Sequence, residues 1–434
     1  MNKKTLTTIL VVLLVIAAAV AIYFATKPAQ EPKEAATEIT WWAFPTFAQK
    51  DAKDPAGTYE QTLVDAFQAK YPNIKVKLET IDFTSGPEKL VAAIEGNKAP
   101  DVLFDAPGRI VEYGMNGKLV SLNDLFTDEL KADINNEGLV AACGDGTNYW
   151  MYPLSSSPFY MAINKEAFEE ADALQYVNLE GDRTWTTENY VKALEALHAA
   201  GKLTSSVYCM NQGGDQGTRA LINNLYGGSM ANADLTKYEV DSPENRKALE
   251  LVKKLVDDKV LEFGPEINAG GEIELFVNKT LAMTICWGTT AAKINTPNMD
   301  FTQVWLPFPS DDGKPVLEYL INGFGIFDNK DEARVKAAKL FVQFLCDSEE
   351  VGKANVLATG AFPVRTSFGN LYEGNADYEL LTAFTKYYGP YYNTMKGFAN
   401  MRLQWWTMLQ AYLSGNTSLD DALATFQTES NKDL

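Results

Sequence analysis

The stretch from Ile39 to Asp105 constrains the fold most, because its hydrophobic pattern switches repeatedly between the period of a strand and that of a helix. Apolar residues recur with helical spacing in YEQTLVDAFQAKYP and alternate with polar residues in IKVKLETID. The whole stretch predicts the order strand, helix, strand, helix, strand. Strands joined by crossover helices form a parallel sheet, so the pattern predicts an α/β fold.

Ligands of such sheets bind beyond the carboxyl ends of the strands. Aromatic or acidic residues stand at these ends, and we expect them to contact a ligand: Trp42, Phe44, Asp82, Phe83 and Asp105. Trp41 and Trp42 are neighbours in a strand, so their side chains must point to opposite faces. Ile39 shares a side with Trp41, which indicates that Trp41 packs in the core and Trp42 approaches the ligand.

Composition excludes several classes of function. The formal net charge of −19 opposes binding to nucleic acid, whose phosphates carry the same sign. The single histidine, His198, lies in a helical run and is interpreted as a surface or packing residue, which argues against histidine-based triads and His-rich zinc sites. The four cysteines form no C-x-x-C motif, and the glycine-rich NQGGDQG lacks the lysine of a P-loop. We therefore expect no metal, cofactor or nucleic acid.

The amino-terminal segment predicts a place at the membrane. An uncharged apolar run from Leu6 to Ala25 follows Lys3 and Lys4. About 20 such residues can cross a bilayer, and the lysines favour a cytoplasmic amino terminus. We interpret residues 1–27 as a membrane anchor, with a cleaved secretory signal peptide as the alternative. Residues 28–37, rich in Pro, Ala, Glu and Lys, are typical of a tether, which places the remaining chain on the extracytoplasmic face of the cell membrane.

Several short motifs, in order along the chain, carry a family resemblance. They include ITWW, AKYPNIKVK, IEGNKAPDVLF, YPLSSSPFYMAINKEAF, TWTTENY, FVNKTLAMTICWG and TGAFPVRTS. With these motifs the chain resembles the extracellular solute-binding proteins of ABC importers, in the carbohydrate-binding group that includes maltose- and glycerol-3-phosphate-binding proteins. Two departures stand out: no lipobox cysteine precedes Cys143, and Asn278 stands where the family often has glycine.

The resemblance implies a periplasmic-binding-protein-like fold, in which two α/β lobes joined by a hinge close on a ligand in the cleft between them. By analogy, lobe 1 would hold residues 38–152 and 318–362, and lobe 2 residues 153–317 and 363–434. The implied function is non-catalytic: a monomeric receptor captures a carbohydrate and delivers it to the permease subunits of an ABC transporter.

A sugar offers apolar faces to aromatic rings and hydroxyl groups to polar side chains. Beyond the first three strands, the candidate ligand-binding residues are Asn211, Gln212, Asp215, Trp287, Asn322, Arg365, Trp405 and Trp406. The first three lie in the glycine-rich loop, Trp287 ends a strand, and Asn322 and Arg365 lie at expected lobe crossings. Adjacent residues of a helix point about 100° apart, so we expect one of Trp405 and Trp406 to reach the cleft while the other packs.

Two alternatives remain open from the sequence. An anionic sugar, such as a sialic acid, a uronate or a sugar phosphate, needs a cationic group in the cleft, for which Arg109, Arg219 and Arg365 are candidates. A glycoside hydrolase instead needs two carboxyl groups facing each other at about 5 to 9.5 Å, which sequence alone does not reveal.

Overall fold

A computed structural model describes residues 36–44, 47, 57–82, 85–134, 136–211, 213, 215–432 and 434. The expected anchor, most of the tether, Phe83 and Gln212 lie outside these residues. Within the part that is described, no helix combines the length and the apolar character needed to cross a membrane.

The strands are β1 (Thr37–Ala43), β2 (Ile74–Thr80), β3 (Val102–Asp105), β4 (Tyr152–Pro158), β5 (Tyr160–Asn164), β6 (Ser206–Tyr208), β7 (Glu262–Gly264), β8 (Met283–Trp287), β9 (Gln303–Leu306), β10 (Tyr319–Ile326) and β11 (Phe362–Pro363). The helices of the first half are α1 (Thr58–Lys70), α2 (Gly86–Glu95), α3 (Pro107–Met115), α4 (Asp128–Ile134), α5 (Glu137–Ala141), α6 (Lys165–Glu170), α7 (Thr187–Ala199) and α8 (Gln216–Tyr226). Those of the second half are α9 (Pro243–Asp257), α10 (Ala269–Val277), α11 (Thr289–Asn295), α12 (Glu332–Asp347), α13 (Glu349–Thr359), α14 (Ala376–Phe384), α15 (Phe398–Leu413) and α16 (Leu419–Ser430).

The larger sheet has six strands in the order β11-β4-β10-β3-β1-β2. β1 runs parallel to both β2 and β3, as the hydrophobic pattern predicts, while β10 runs antiparallel to β3. The first residue of β10, Tyr319, lies beyond the carboxyl end of β3, because Gly323 is the residue that pairs with Asp105. The chain therefore enters this sheet from another part of the molecule at the carboxyl edge of β1, β2 and β3.

The second half of the fold contains a sheet ordered β8-β5-β9 and the parallel pair β6 and β7. A parallel bridge between Leu203 and Leu281 links the two groups of strands, with the Ala282 amide donating to the Leu203 carbonyl at 2.9 Å. The carboxyl end of β8 pairs with the first residue of β5, since Trp287 is opposite Tyr160. That end of β8 thus lies directly beside the connection from β4.

Buried side chains separate into two hydrophobic cores, one at the centre of each lobe. The core of lobe 1 includes Trp41, Phe104 and Phe341 around the six-stranded sheet. The core of lobe 2 includes Tyr160, Trp287 and Trp405. The chain passes between lobes within a few residues, since Leu154 packs in lobe 1 and Tyr160 in lobe 2. The expected division of the sequence at 152/153, 317/318 and 362/363 stays a prediction.

Candidate ligand-binding cleft

The carboxyl edge of the lobe 1 sheet presents a positioned arginine. Asp105, the last residue of β3, is buried and accepts two hydrogen bonds from Arg109, from Nε and Nη2, both at 2.6 Å. The guanidinium carbon lies 5.0 Å from the centre of the Phe44 ring, a cation–π distance. Asp105 and Phe44 therefore fix the direction of a side chain that remains 34% exposed at this edge. Sequence reasoning placed Asp105 and Phe44 at the site; both contact Arg109, and a ligand contact by either residue stays a prediction.

The two adjacent tryptophans of β1 do point to opposite faces. Trp41 packs on Phe341 with ring centres 5.3 Å apart, so its expected place in the core is confirmed. Trp42 faces α2, where the Lys89 ammonium lies 5.1 Å from its ring centre, and only 8% of the residue is exposed. Helices cover both faces of a parallel sheet, so facing away from one layer does not expose a side chain. A ligand contact by Trp42 stays a prediction.

Asp82 follows β2 and is exposed. Its carboxylate accepts hydrogen bonds from the Ser85 amide at 2.7 Å and from the Ser85 hydroxyl at 2.9 Å. Ser85 immediately precedes α2, so this carboxylate fixes the turn that leads into that helix. The first turn of α2 receives no side-chain capping hydrogen bond, and a ligand contact by Asp82 stays a prediction.

The lobe 2 edge is formed where β6 ends. Met210 is 48% exposed there, and Asn211 accepts a hydrogen bond from the Gly213 amide at 2.7 Å, which folds the loop back on itself. Asp215, four residues further, is buried. One of its oxygens lies 2.5 Å from Arg219 Nη1, and the other accepts from Arg402 Nε at 2.9 Å. The glycine-rich loop is therefore tied to α8 and α15 by Asp215.

The tryptophans of lobe 2 divide into buried and half-buried groups. Trp287 is fully buried and meets Phe276 edge to face at 5.3 Å. Trp405 is fully buried and donates its indole N–H to the Thr218 hydroxyl at 2.9 Å. Trp406 is half-buried.

The position of Trp406 on α15 links it to the lobe 2 edge. One turn before it, Arg402 binds Asp215, and one turn after it, Gln410 donates to the carbonyl of Pro265 at 3.3 Å. Residues four apart share a helix face, so Trp406 lies between these two contacts, near the ends of β6 and β7. The expected split of the tryptophan pair matches this burial, and a stacking role for Trp406 stays a prediction.

The two residues expected at lobe crossings have different surroundings. Asn322 is half-buried and sits at the irregularity in the β10–β4 pairing. Arg365 is buried: it donates to the Pro153 carbonyl at 2.8 Å and to Asp347 at 2.5 Å, and it lies 5.2 Å from the Tyr152 ring centre. Its guanidinium thus contacts groups beside the lobe 1 core, and a ligand contact by Arg365 stays a prediction.

Three residues that contact Arg219 or Asp215 were not among the candidates from the sequence: Glu318, Tyr392 and Arg402. Glu318 is 10% exposed and binds Arg219 Nη2 at 3.0 Å. Tyr392 accepts a hydrogen bond from Arg219 Nε at 2.7 Å and donates to Glu318. Asp215 and Arg219 are four residues apart on one helix face, a spacing that could have been read as an ion pair. Glu318 and Arg402 join the same group from distant parts of the chain and left no local signal.

Metal-binding groups, reactive thiols and surface grooves are other features that could form a site in the described residues. Within the described residues, no group of His, Cys, Asp or Glu side chains could hold a metal ion. Cys143, Cys209, Cys286 and Cys346 are all buried free thiols. Two surface grooves, of about 910 and 770 Å³, both lie on lobe 1; Asp124 and Lys339 line the first, and Lys131 and Tyr149 the second. Neither groove includes a residue of the two carboxyl edges.

Comparison with known proteins assigns the family. A model of the family described as "Bacterial extracellular solute-binding protein" matches residues 62–383, most of the chain. The protein belongs to the bacterial extracellular solute-binding proteins. This solute-binding protein has the periplasmic-binding-protein-like fold that the resemblance implied, with two α/β lobes and a cleft between them.

Solved structures share this fold at low sequence identity. The GacH receptor of Streptomyces glaucescens, described unliganded and with acarbose, is 17% identical, with a TM-score of 0.72 over 91% of this chain and 97% of that one. An ABC substrate-binding protein of Listeria monocytogenes in complex with cycloalternan is 20% identical, with a TM-score of 0.70 over 91% and 98%. Among curated proteins, an uncharacterized lipoprotein of Streptomyces antibioticus is 32% identical over 72 residues, which is only 16% of its length.

Proposed function

We propose that this solute-binding protein is the extracytoplasmic receptor of an ABC importer and captures a neutral carbohydrate, most readily an oligosaccharide, between the two carboxyl edges. The observation that carries the proposal is that both edges adjoin the chain crossings. Tyr319 extends past the end of β3 in lobe 1, and Tyr160 pairs with the end of β8 in lobe 2. Structural neighbours hold acarbose or cycloalternan, which supports a carbohydrate ligand.

The balance of charge at the edges favours a neutral ligand. Arg109 is paired with Asp105, while Arg219 and Arg402 are matched by Asp215 and Glu318. Arg365 is paired with Asp347. An anion such as a uronate or sugar phosphate would have to compete with these carboxylates for each guanidinium, at the cost of leaving a carboxylate unpaired. This weighs against the anionic alternative.

The same pairing supports a non-catalytic role. A glycoside hydrolase needs one carboxylic acid to protonate the leaving group and one carboxylate to act as nucleophile or base. Asp105, Asp215 and Glu318 each hold at least one arginine, so their oxygens are committed to ion pairs. Membership in a family of binding proteins points the same way.

Attachment to the membrane completes the proposal. Residues 1–27 would anchor the protein, and permease subunits of the importer would receive the ligand. A chain that begins at Ala36 should fold and bind as the full chain does, because β1 begins at Thr37, whose amide donates to the Asn73 carbonyl at 2.9 Å. Recovery of native protein already cleaved near the alanine-rich stretch would instead favour a signal peptide.

A thermal-shift screen tests the ligand. Any ligand that binds only the folded state raises the melting temperature by an amount that grows with its concentration relative to Kd. We expect a rise with maltotriose, acarbose or cycloalternan, and none with glucuronate, glucose 6-phosphate or sialic acid at equal concentration. A rise with the anionic sugars alone would overturn the neutral assignment. Chromatography of each binding oligosaccharide after prolonged incubation should show no cleavage products.

A further inference from the structure

Two neighbouring residues near the carboxyl terminus pack in different lobes. Tyr391 belongs to the lobe 1 core and Tyr392 to the lobe 2 core, and both are largely buried. The same alternation occurs just before them, where Tyr387 packs against lobe 2 and Tyr388 against lobe 1. Residues 387–398, here called the strap, therefore connect the lobes through side chains, in addition to the chain crossings.

Contacts of the strap with lobe 1 are close. Tyr388 stacks on Tyr319 with ring centres 4.0 Å apart and planes within 3°. At the start of α3, a Cβ atom added to Gly108 would lie 3.0 Å from the Asn393 carbonyl oxygen. The strap thus lies directly against the first strand residue of β10 and the first turn of α3.

Glu318 is the second junction. It stands between Leu317, which packs in the lobe 2 core, and Tyr319, which packs in the lobe 1 core. Its carbonyl accepts a hydrogen bond from the Phe159 amide at 2.9 Å, so it also joins the neighbouring crossing segment. The carboxylate accepts from the Tyr392 hydroxyl and from Arg219. Two residues at which the chain changes lobes are therefore hydrogen-bonded to each other.

We propose that the hydrogen bond from Tyr392 to Glu318 is a positioning device that fixes the angle between the two lobes. Arg219 orients both partners, because its Nε donates to the tyrosine hydroxyl while its Nη2 binds the carboxylate. A buried carboxylate left with fewer donors is costly, so the junction holds one arrangement in preference to others. The device acts at the junction between the lobes, where the chain passes from one to the other.

Spin labels can measure the lobe angle without any ligand, so the test stands apart from the carbohydrate proposal. Ala92 on α2 and Glu195 on α7 are exposed and lie in lobe 1 and lobe 2. Because the native thiols are buried, nitroxides should attach selectively to Ala92→Cys and Glu195→Cys. Pulsed dipolar spectroscopy then gives the distance distribution between the lobes. We expect Tyr392→Phe to broaden this distribution markedly, and Glu318→Gln to do the same.

Tyr387→Phe is the matched control. It removes a hydroxyl from the same strap, but that hydroxyl donates to Asp182 at 2.9 Å within lobe 2. We expect this variant to keep the native distribution. Circular dichroism first checks that Tyr392→Phe and Glu318→Gln are folded. The proposal is overturned if both variants are less stable than the native protein but keep its distribution of distances between the lobes. It is also overturned if Tyr387→Phe broadens the distribution equally. If Tyr392→Phe does not fold, Glu318→Gln decides alone.

Discussion

At the scale of single residues, the side chains of Trp405 and Trp406 point in different directions from α15, and their surroundings indicate different roles. Trp405 fills the lobe 2 core and its indole nitrogen has a partner, whereas Trp406 is half-buried beside the edge that carries Asp215. A half-buried aromatic ring can cover the apolar face of a sugar and still pack on the protein.

Trp406→Ala should weaken binding of the tightest sugar from the screen by about 1 to 3 kcal/mol, as loss of an aromatic anchor does. Trp405→Ala should instead lower the free energy of unfolding by about 3 to 5 kcal/mol, because it leaves a cavity in the core. Calorimetric titration and denaturant unfolding of both variants check this. Unchanged affinity in Trp406→Ala would remove that residue from the site.

Glu272 on α10 predicts a pH dependence of stability. Its carboxyl group is fully buried, accepts from the Ile285 amide at 3.0 Å and lies 2.5 Å from the Thr284 hydroxyl. Burial raises the pKa of this group from 4.5 to about 8. The folded state therefore binds this proton more tightly than the unfolded state does. The resulting stability is fully present below the pKa of the unfolded state and is lost as the pH rises towards the pKa of the folded state.

Between pH 5 and 8, the free energy of unfolding of the native protein should therefore fall relative to Glu272→Gln by about 1.4 kcal/mol per pH unit. The measurement is denaturant unfolding at several pH values. Glu274→Gln, an exposed position on the same helix, should follow the native protein. Parallel curves for the native protein and Glu272→Gln would show that this carboxyl group does not titrate in that range.

At the scale of elements, glycine positions show how closely the helices approach the sheets. A Cβ atom at Gly217, in the first turn of α8, would lie 2.4 Å from the Ile285 carbonyl oxygen and 2.5 Å from the Tyr208 hydroxyl. Backbone cannot retreat as a flexible side chain can, so α8 would have to shift away from β8.

Gly217→Ala should destabilise lobe 2 by about 1 to 3 kcal/mol through overpacking. Gly270→Ala is the control, because a Cβ atom there meets nothing closer than 3.4 Å. Within a helix that change should be neutral or stabilise the protein by up to about 1 kcal/mol, owing to the higher helix propensity of alanine. Thermal unfolding of the two variants distinguishes them, and equal melting temperatures would contradict the close approach of α8.

The secondary structure could be predicted where it depends on a local hydrophobic pattern, whereas the contacts at the candidate site could not. The parallel order of β1, β2 and β3 follows from apolar periodicity, and the alternation of Trp41 and Trp42 follows from strand geometry. Whether the face of β1 that carries Trp42 is covered depends on the position of α2. That position is determined by packing between segments distant in sequence. Likewise Glu318 and Tyr392 both contact Arg219, and Arg402 contacts Asp215, the ion-pair partner of Arg219, although these residues are far apart in sequence from Arg219. Long-range contacts of this kind leave no mark on any single stretch of sequence.

At the scale of the whole molecule, two lobes joined by crossings at one side can rotate about that side. Domain closure around a ligand takes place on the microsecond to millisecond scale. A Cβ atom added to Gly108 of lobe 1 would lie 3.0 Å from the Asn393 carbonyl oxygen, so the strap packs closely against lobe 1. We therefore expect the motion to open or close the part of the cleft farther from the strap.

A saturating sugar should reduce the radius of gyration measured by small-angle X-ray scattering, since closure brings the lobes together. A sugar from the screen that leaves the melting temperature unchanged serves as the control and should leave the radius unchanged. An unchanged radius with a ligand that clearly raises the melting temperature would show that capture requires no closure.

The direction of β1 has a consequence for the protein at the membrane. The strand starts at Thr37 and ends six residues later at Ala43, on the carboxyl edge that faces the cleft, about 20 Å away. A chain anchored through residues 1–27 would thus be attached at the end of lobe 1 opposite the cleft. The opening of the cleft would then face the cell exterior. Residues 28–36 would span at most about 30 Å if extended. A linker of this length would keep the receptor near membrane transporters at a local concentration of roughly millimolar. Delivery to a transporter would then require the molecule to rotate about this segment, so we expect shortening of residues 28–36 to slow uptake.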